Sequence, residues 1–261
     1  MTAPNTAHFP PAPAWADAEL ANPHAHAEKA GKVRGMFTAI AGSYDLNNRL
    51  HSLWQDVRWR NFAVRQAQVN PGETVLDVAC GTGDLTQAFA RTAAAKVTGL
   101  DFTPAMLDHA RIKQQALRPE VAAKVTYIEG DAMALPLPDA SVDVVSIAFG
   151  IRNVSDSMRA LREFARVLRP GGRLIILEFE RPRNPLVRWF NDFYCGQIMP
   201  RTATLISGDK SGAYKYLPKS VATYVSREQM LKNLSEVGLS GGTAWSLFLG
   251  ICTCYRAIKA R

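Results

Sequence analysis

A strand, a glycine turn and the start of a helix follow one another in the segment VLDVACGTGDLT, residues 75–86. Gly81 and Gly83 lack a Cβ atom, which lets the backbone pass close to a ligand. The helix that begins after the turn offers free backbone N–H groups to that ligand. A dinucleotide-binding fold has a third glycine where this chain has Thr86, so the turn alone is weak evidence for the identity of the ligand.

Three aspartates accompany this turn. Asp77 lies within the strand before it, Asp101 ends the next strand, and Asp131 follows the third. The carboxyl ends of parallel strands meet at one edge of a sheet, so the three acids are predicted to surround one ligand there. Carboxylates attract cations and accept hydrogen bonds from hydroxyl groups, which favours a ligand that carries both. The alternative is that Asp77 and Asp84 only cap or brace the turn.

Short apolar segments that alternate with helical segments must position these residues. They predict an α/β protein with a parallel, doubly wound sheet, its strands at residues 74–79, 96–101, 124–130, 142–149 and 173–179. Two further strands, TAWSLFLG (243–250) and ICTCYRAIK (251–259), have no helix between them and predict an antiparallel C-terminal hairpin. The predicted fold is therefore a mostly parallel sheet of seven strands.

The chain is predicted to form one domain, residues 29–261, after a disordered tail. Residues 1–28 contain five prolines among alanines and no periodic apolar pattern, which is typical of a disordered tail. His24 and His26 in that tail are interpreted as solvated residues. Residues 29–70 have helical apolar spacing and predict an N-terminal helical cap.

Residues 181–220 combine seven basic and two acidic side chains with six aromatic ones. Cations and amphipathic aromatics together favour a face that contacts a membrane surface or an apolar anionic ligand, on the substrate side of the protein. An ordinary helical cover whose aromatic side chains pack inward explains the same pattern equally well.

Length and composition exclude several classes of protein. The 261 residues, with a net charge of +8 and 47% hydrophobic residues, describe a folded body and exclude global disorder. The four cysteines lack paired spacing, which predicts reduced thiols and no metal site. The amino terminus does not look like a secretion signal, which predicts a cytoplasmic protein. The longest uncharged stretch, residues 237–255, is interrupted by glycines and is interpreted as two strands rather than a membrane helix.

The glycine turn and the three acids resemble the cofactor site of the class I methyltransferases, which bind S-adenosylmethionine. The resemblance implies that Asp77 and the glycine turn face the methionine part of the cofactor. It implies that Asp101 accepts hydrogen bonds from the ribose hydroxyls, and that Asp131 and Ala132 meet the adenine. The antiparallel last strand also matches that fold.

Four further motifs make the resemblance more specific, and it covers the chain from about residue 32 to the end. The motifs are YDLNNRLHSLWQDVRW (44–59), FGIRNV (149–154), RVLRPGGRLIILE (166–178) and YLPKSV (216–221). Together they resemble the demethylmenaquinone and ubiquinone C-methyltransferases of quinone biosynthesis. This resemblance implies that Thr86 also contacts the cofactor, and that Arg152 and Tyr44 belong to the catalytic site.

The implied reaction places a methyl group from S-adenosylmethionine on a ring carbon of a reduced polyprenyl quinone. Demethylmenaquinol is favoured over the benzoquinol of the ubiquinone pathway. The reaction needs an acceptor for a phenolic proton. Arg152 stays protonated, so its implied role is to stabilise phenolate charge; the alternative is an arginine that binds a backbone carbonyl or Asp156 within its loop. His51 is a second candidate for the proton acceptor.

Three positions depart from the family pattern. Asp56 stands where a histidine is usual, and Ala148 and Glu180 stand where serines are usual. Ala148 removes one expected hydrogen bond to the cofactor. Glu180, close to the end of a strand, is expected to alter the quinone pocket.

Three other functions stay open. The basic chain could be a nucleic-acid methyltransferase, although it lacks the Asn/Asp-Pro-Pro-aromatic and Pro-Cys motifs of such enzymes. A scaffold that binds the cofactor and presents quinol to other proteins is the second, and a nicotinamide-dependent oxidoreductase is the third. The expected partners are a polyprenyl quinol and the inner face of a membrane, without nucleic acid. No heptad pattern predicts a coiled coil, and a homodimer stays open.

Overall fold

The computed structural model describes Trp15 and residues 19–25, 28–209 and 211–261. Within these residues, seven strands form one sheet in the order β3-β2-β1-β4-β5-β7-β6. The strands are β1 (Thr74–Val78), β2 (Lys96–Asp101), β3 (Val125–Glu129), β4 (Val142–Ala148), β5 (Leu168–Phe179), β6 (Leu239–Leu247) and β7 (Cys252–Lys259). Strands β1 to β5 pair in parallel, and β7 runs antiparallel to both of its neighbours. The predicted sheet and its C-terminal hairpin are confirmed.

Helices cover both faces of the sheet. They are α1 (Lys29–Ile40), α2 (Tyr44–His51), α3 (Gln55–Ala67), α4 (Asp84–Ala90), α5 (Pro104–Gln115), α6 (Pro119–Ala122), α7 (Ser157–Val167), α8 (Pro185–Phe193), α9 (Met199–Ser207), α10 (Ala213–Ala222) and α11 (Arg227–Glu236). Local signals set several helix starts. Pro104 occupies the first turn of α5, where its missing N–H costs nothing, and the Asp156 side chain accepts a hydrogen bond from the backbone of Arg159 to cap α7.

The central strands are buried on both faces, which explains why their sequences are almost continuously apolar. In β1, Val75, Leu76 and Val78 are buried among core side chains of the two helical layers. A close-packed core of this kind is rigid, so the turns at the carboxyl edge of the sheet start from fixed positions.

The predicted helical cap, residues 29–70, has two different parts. Helices α1 and α2 contribute Ala30, Phe37 and Tyr44 to a cleft at the carboxyl edge of the sheet. Helix α3 instead packs against β5 and β7 and belongs to the helical layer of the sheet. The main cleft at this edge is therefore covered by α1 and α2, whereas α3 mainly packs on the sheet.

The predicted disordered tail requires correction wherever the structure describes it. Trp15 is buried and its ring stacks on Tyr216 with centroids 4.6 Å apart. His24 is not simply solvated, because its Nε2 bonds to the Ser220 carbonyl at 2.9 Å and its Nδ1 accepts from Lys29 Nζ at 3.2 Å. Ser220 lies 196 residues from His24 in sequence, and Tyr216 is about as far from Trp15, so no local pattern reveals these two contacts. The other residues of the predicted tail, His26 among them, lie outside the described residues.

The structure divides residues 181–220 into a part that packs inward and a part whose aromatic side chains are exposed, and contact with a membrane or an apolar anionic ligand stays a prediction. Tyr214 and Tyr216 of α10 are buried, as an inward-packing cover predicts. All nine residues of α8 are described and none is buried; its Trp189, Phe190 and Phe193 are exposed. A π-helix, Tyr194–Ile198, joins α8 to α9. In the part of the chain that the structure describes, no helix has the length and apolarity needed to span a bilayer.

Candidate functional site

An open cleft lies at the carboxyl edge of the sheet, which is the usual place for a ligand in an open α/β sheet. Asp101, Asp131 and Ala132 line it together with Gly81 and Tyr44. These residues come from four separate parts of the chain. The parallel strands bring them together, as the sequence predicts.

A smaller side cleft continues from the main one. Asp77, Arg60 and Asp84 line it. The two clefts share four lining residues, which are Tyr44, Ala79, Gly81 and Ala148. They therefore form one continuous groove whose junction lies at these four residues.

Asp101 holds the glycine turn as well as lining the groove. Its Oδ2 accepts a hydrogen bond from the Gly81 backbone N–H at 2.8 Å, and its Oδ1 accepts from the Thr103 N–H at 2.8 Å. Each carboxylate oxygen can accept a second hydrogen bond, so vicinal hydroxyls of a ligand can still bind. Burial raises the pKa of Asp101 above its usual value.

Asp77 is buried at the end of the side cleft. The Thr86 hydroxyl donates to its Oδ2 at 2.6 Å, and the Ser146 hydroxyl donates to its Oδ1 at 2.7 Å. Burial raises the pKa of Asp77 to about 6, and the two hydroxyls offset only part of that effect. Thr86 lines neither cleft, so the structure places it behind Asp77, where it supports the acid rather than facing a ligand.

The raised pKa of Asp77 predicts a pH dependence of cofactor binding. The ionised carboxylate attracts a cationic ligand, so affinity is expected to fall as the pH drops through about 6 and protonates it. Between pH 7 and pH 5 the dissociation constant for S-adenosylmethionine should rise about tenfold. Calorimetric titration at both values measures this.

The matched variant is Asp77→Asn, whose side chain still bonds to both hydroxyls but does not ionise. At pH 7 its dissociation constant for S-adenosylmethionine should be higher than that of the wild type. At pH 5 the two dissociation constants should be nearly equal. A wild-type affinity that stays flat between the two pH values would contradict the role of Asp77.

The two glycines of the turn have different functions. Gly81 has a φ of +55° and lines both clefts, so a ligand can approach its backbone. Gly83 has a φ of +81°, and a Cβ there would collide with the Tyr127 ring and lie 3.1 Å from Ala110 Cβ. Gly83 lines neither cleft. A glycine is needed at position 83 because the backbone packs closely against α5 and β3, not because a ligand contacts it.

Ion pairs hold α2 against the glycine turn. Arg49 donates to Asp84 at 2.6 Å and also binds Asp56. Lys113 of α5 binds Asp84 from the other side and bonds to Asp45 at 2.6 Å. The alternative in which Asp84 braces the turn is therefore supported, and Asp56, one of the departures from the family pattern, belongs to the same network.

The lining of the groove fits S-adenosylmethionine. Leu100, Phe102 and Met106 give the main cleft an apolar wall suited to a planar base. Asp101 and Asp131 offer acceptors for hydroxyl and amino groups. In the side cleft, a carboxylate and a guanidinium suit the oppositely charged ends of an amino acid.

Arg152 is not placed where a catalytic residue would touch a substrate. It is 2% exposed and lines neither cleft. Its guanidinium forms an ion pair with Glu178 and donates to the Phe149 carbonyl at 2.8 Å and to Ser220 Oγ at 3.3 Å. This geometry favours the alternative in which the arginine binds a backbone carbonyl of its own loop, and its catalytic role stays a prediction.

His51 and Glu180 also lie away from the groove lining. His51 Nδ1 bonds to the Tyr194 hydroxyl at 2.8 Å and so connects α2 to the π-helix. Glu180 accepts from Arg227 Nη2 at 2.6 Å and from the Thr253 hydroxyl, so its charge is paired away from both clefts, and its effect on the quinone pocket stays a prediction. Ala148, by contrast, lies at the junction of the two clefts, where it offers a methyl group and no hydroxyl.

Arg60 and Phe149 are among the lining residues of the groove that sequence reasoning did not assign to the site. Arg60 of α3 reaches the side cleft, with its guanidinium carbon 5.6 Å from the Phe149 ring centroid. The Arg60 guanidinium also forms an ion pair with the Asp56 carboxylate at 2.5 Å. No spacing in the sequence connects Arg60 to the glycine turn. Phe149 lines the main cleft, and its place in the FGIRNV motif was the signal that could have identified it.

Comparisons with known proteins agree with this geometry. Residues 25–259 match the model of the ubiE/COQ5 methyltransferase family. The ubiquinone/menaquinone biosynthesis C-methyltransferase UbiE of Hahella chejuensis is 38% identical over 235 residues, 89% of this chain and 93% of the relative. The UbiE protein of Geobacter sp. strain M21 is 39% identical over 238 residues, 90% of this chain and all of the relative.

The fold also resembles that of a solved SAM-dependent methyltransferase from Thermotoga maritima, with a TM-score of 0.60. That likeness covers 87% of this chain and 99% of the other, at 18% sequence identity. With the family match over most of the chain and a groove that fits the cofactor, the chain belongs to the ubiE/COQ5 methyltransferase family and is an S-adenosylmethionine-dependent C-methyltransferase of quinone biosynthesis.

Proposed function

We propose that this enzyme methylates a ring carbon of demethylmenaquinol to give menaquinol. The observation that carries the proposal is the junction of two clefts whose linings differ. The two clefts meet at Tyr44 and Ala148. The side cleft is lined by carboxylates and a guanidinium, and the main cleft by the rings of Phe37 and Phe149. Aromatic walls suit the fused rings of a naphthoquinol. The curated relatives are named for both the ubiquinone and menaquinone pathways.

The side chains at the junction support phenolate chemistry. The bound cofactor supplies an electrophilic methyl group. Tyr44 lines both clefts, and burial raises the pKa of its hydroxyl, so the hydroxyl stays neutral and donates a hydrogen bond. A fixed donor at the junction stabilises negative charge that develops on a phenolic oxygen. Helices α1 and α2 cover the groove, which keeps water from the reacting atoms.

The test is methyl transfer from isotopically labelled S-adenosylmethionine to two reduced acceptors, a short-chain demethylmenaquinol and the matching benzoquinol. Mass analysis locates the label on carbon or on oxygen. Carbon methylation with a higher kcat/KM for the naphthoquinol is the expected result. A higher kcat/KM for the benzoquinol would assign the enzyme to the ubiquinone pathway. Cofactor binding without transfer to either acceptor would favour the scaffold function.

We also propose that residues 181–220 contact an anionic membrane surface, since a polyprenyl substrate resides in the bilayer. On α8, Leu186, Trp189, Phe190 and Phe193 are all more than half exposed. Arg181, Arg201 and Lys219 in the same segment are exposed as well. Apolar side chains that enter the headgroup layer, with cations beside them, are the features of an interfacial helix.

Sedimentation with vesicles tests this contact. The protein is expected to sediment with vesicles that contain anionic lipid at low salt, and less at high salt, because the Debye length shortens. Trp189→Ala should reduce the bound fraction, whereas Ile112→Ala, at an exposed apolar residue of α5, should not. Equal sedimentation with neutral and anionic vesicles, or an equal effect of the two variants, would contradict the proposal.

A further inference from the structure

A row of aromatic rings leads from the main cleft to the protein surface. Phe149 lines the cleft, and its ring stacks on Phe179 with centroids 4.5 Å apart. Trp59 of α3 contacts both, at centroid distances of 6.2 and 6.0 Å. On its other side Trp59 lies 6.1 Å from the ring of Phe248. All four distances fall within the range of direct ring contact. These four residues are called the aromatic row.

Burial changes along the aromatic row. Phe149 and Trp59 are buried, whereas Phe248, in the turn between β6 and β7, is 44% exposed. Its neighbour Leu249 is 71% exposed. The row therefore begins at the reaction site and ends in open apolar surface.

Both ends of the row have an unusual backbone. Phe149 has a φ of +58°, Phe248 of +44° and Leu249 of +58°. Bulky residues with positive φ are rare, since each costs of order 1 kcal/mol or more, and such residues cluster at functional sites. A turn built for stability alone would have glycine or asparagine at these positions.

The charges beside the row lie at its inner end. Arg60 lies 5.6 Å from the ring centroid of Phe149, and Arg152 lies 5.4 Å from that of Phe179. Among the described residues, no cation–π contact is recorded for Trp59 or Phe248. The inner end can thus accommodate a polar ring, and the outer end is suited only to hydrocarbon.

We propose that the first isoprenoid units of the substrate chain leave the cleft at Phe149 and contact the exposed ring of Phe248, while the buried ring of Trp59 holds the aromatic row in place. This inference rests on the proposed function, because it requires an acceptor whose ring carries a hydrocarbon chain. The occupant follows from continuity with the cleft: a chain attached to a ring beside Phe149 can contact the exposed ring of Phe248, which Trp59 joins to Phe149. The turn between β6 and β7 lies against Pro182, at the start of the segment that carries α8, so the row ends beside the proposed membrane face.

The experiment compares two acceptors in solution without vesicles, one with a two-unit isoprenyl chain and one with a methyl group in its place. The variant is Phe248→Asn, since asparagine tolerates positive φ and lacks the ring. The ratio of kcat/KM for the chain-bearing acceptor to that for the chainless acceptor is expected to fall about tenfold, mostly through KM.

Leu249→Asn is the matched control, because it makes the same change at positive φ in the same turn but outside the ring contacts. It should leave the ratio within twofold of wild type. If the ratio of the two kcat/KM values is the same for wild type and Phe248→Asn, the role of the aromatic row in binding the chain is wrong, while the proposed function stands. The same conclusion follows if Phe248→Asn and Leu249→Asn lower the ratio equally. A wild-type enzyme that methylates neither acceptor would instead overturn the proposed function.

Discussion

Replacing Asp101 with asparagine is expected to weaken the binding of S-adenosylmethionine by about 100-fold, or about 3 kcal/mol. The change removes a charged acceptor for two ligand hydroxyls, and hydrogen bonds to charged groups contribute about 1.5–3 kcal/mol each. In the wild type, the backbone N–H groups of Gly81 and Thr103 each donate to the carboxylate at 2.8 Å. The amide N–H₂ of asparagine cannot accept a hydrogen bond, so one of these two bonds is lost. The glycine turn thereby loses one of its anchors.

Equilibrium binding of labelled cofactor measures this effect directly. The control is Glu129→Gln, which makes the same acid-to-amide change at the residue that pairs with Asp101 on the neighbouring strand β3. Glu129 is exposed and bonds to Arg34, so its replacement should change affinity less than twofold. Similar affinities for Asp101→Asn and Glu129→Gln would show that the ligand does not depend on the carboxylate at the end of β2.

Replacing Arg152 with methionine is expected to lower the free energy of unfolding by about 3–5 kcal/mol, because it leaves Glu178 buried without its partner. Arg152 and Glu178 are 2% and 3% exposed. Burial raises the pKa of Glu178 and Arg152 opposes that rise, so the lone acid is expected to take up a proton. Turnover should fall more than cofactor affinity, since the loop that carries Phe149 loses the bond from Arg152 to its carbonyl.

Urea denaturation of two further variants separates a buried pair from a catalytic contact. The double variant Arg152→Met/Glu178→Gln should regain part of the lost stability, since no charge is left unpaired. Arg111→Met breaks an exposed ion pair with Asp108 on α5 and should cost less than about 1 kcal/mol. If the Arg152→Met protein is as stable as the wild type but has no turnover, Arg152 has a catalytic role rather than a structural one.

The sequence alone predicted the sheet, its hairpin and the edge at which Asp101 and Asp131 meet. Strands of a buried parallel sheet have a local signature, because every one of them must be apolar on both faces. The position of the acids follows from the same rule, since parallel strands end at one edge. The division of residues 181–220 was not predictable: its cations and aromatics have the same composition whether a helix packs inward or remains exposed.

What the sequence determined, then, is whatever depends on neighbours along the chain: the strands, the glycine turn and the motifs of the family. The tertiary structure alone decided which side chains face the groove. It placed Arg60 in the side cleft and Arg152 outside both clefts, and it folded Trp15 onto Tyr216. An arginine has the same local pattern whether it binds a ligand or a buried glutamate. Contacts between residues far apart in sequence, which form only when the chain folds, distinguish the two.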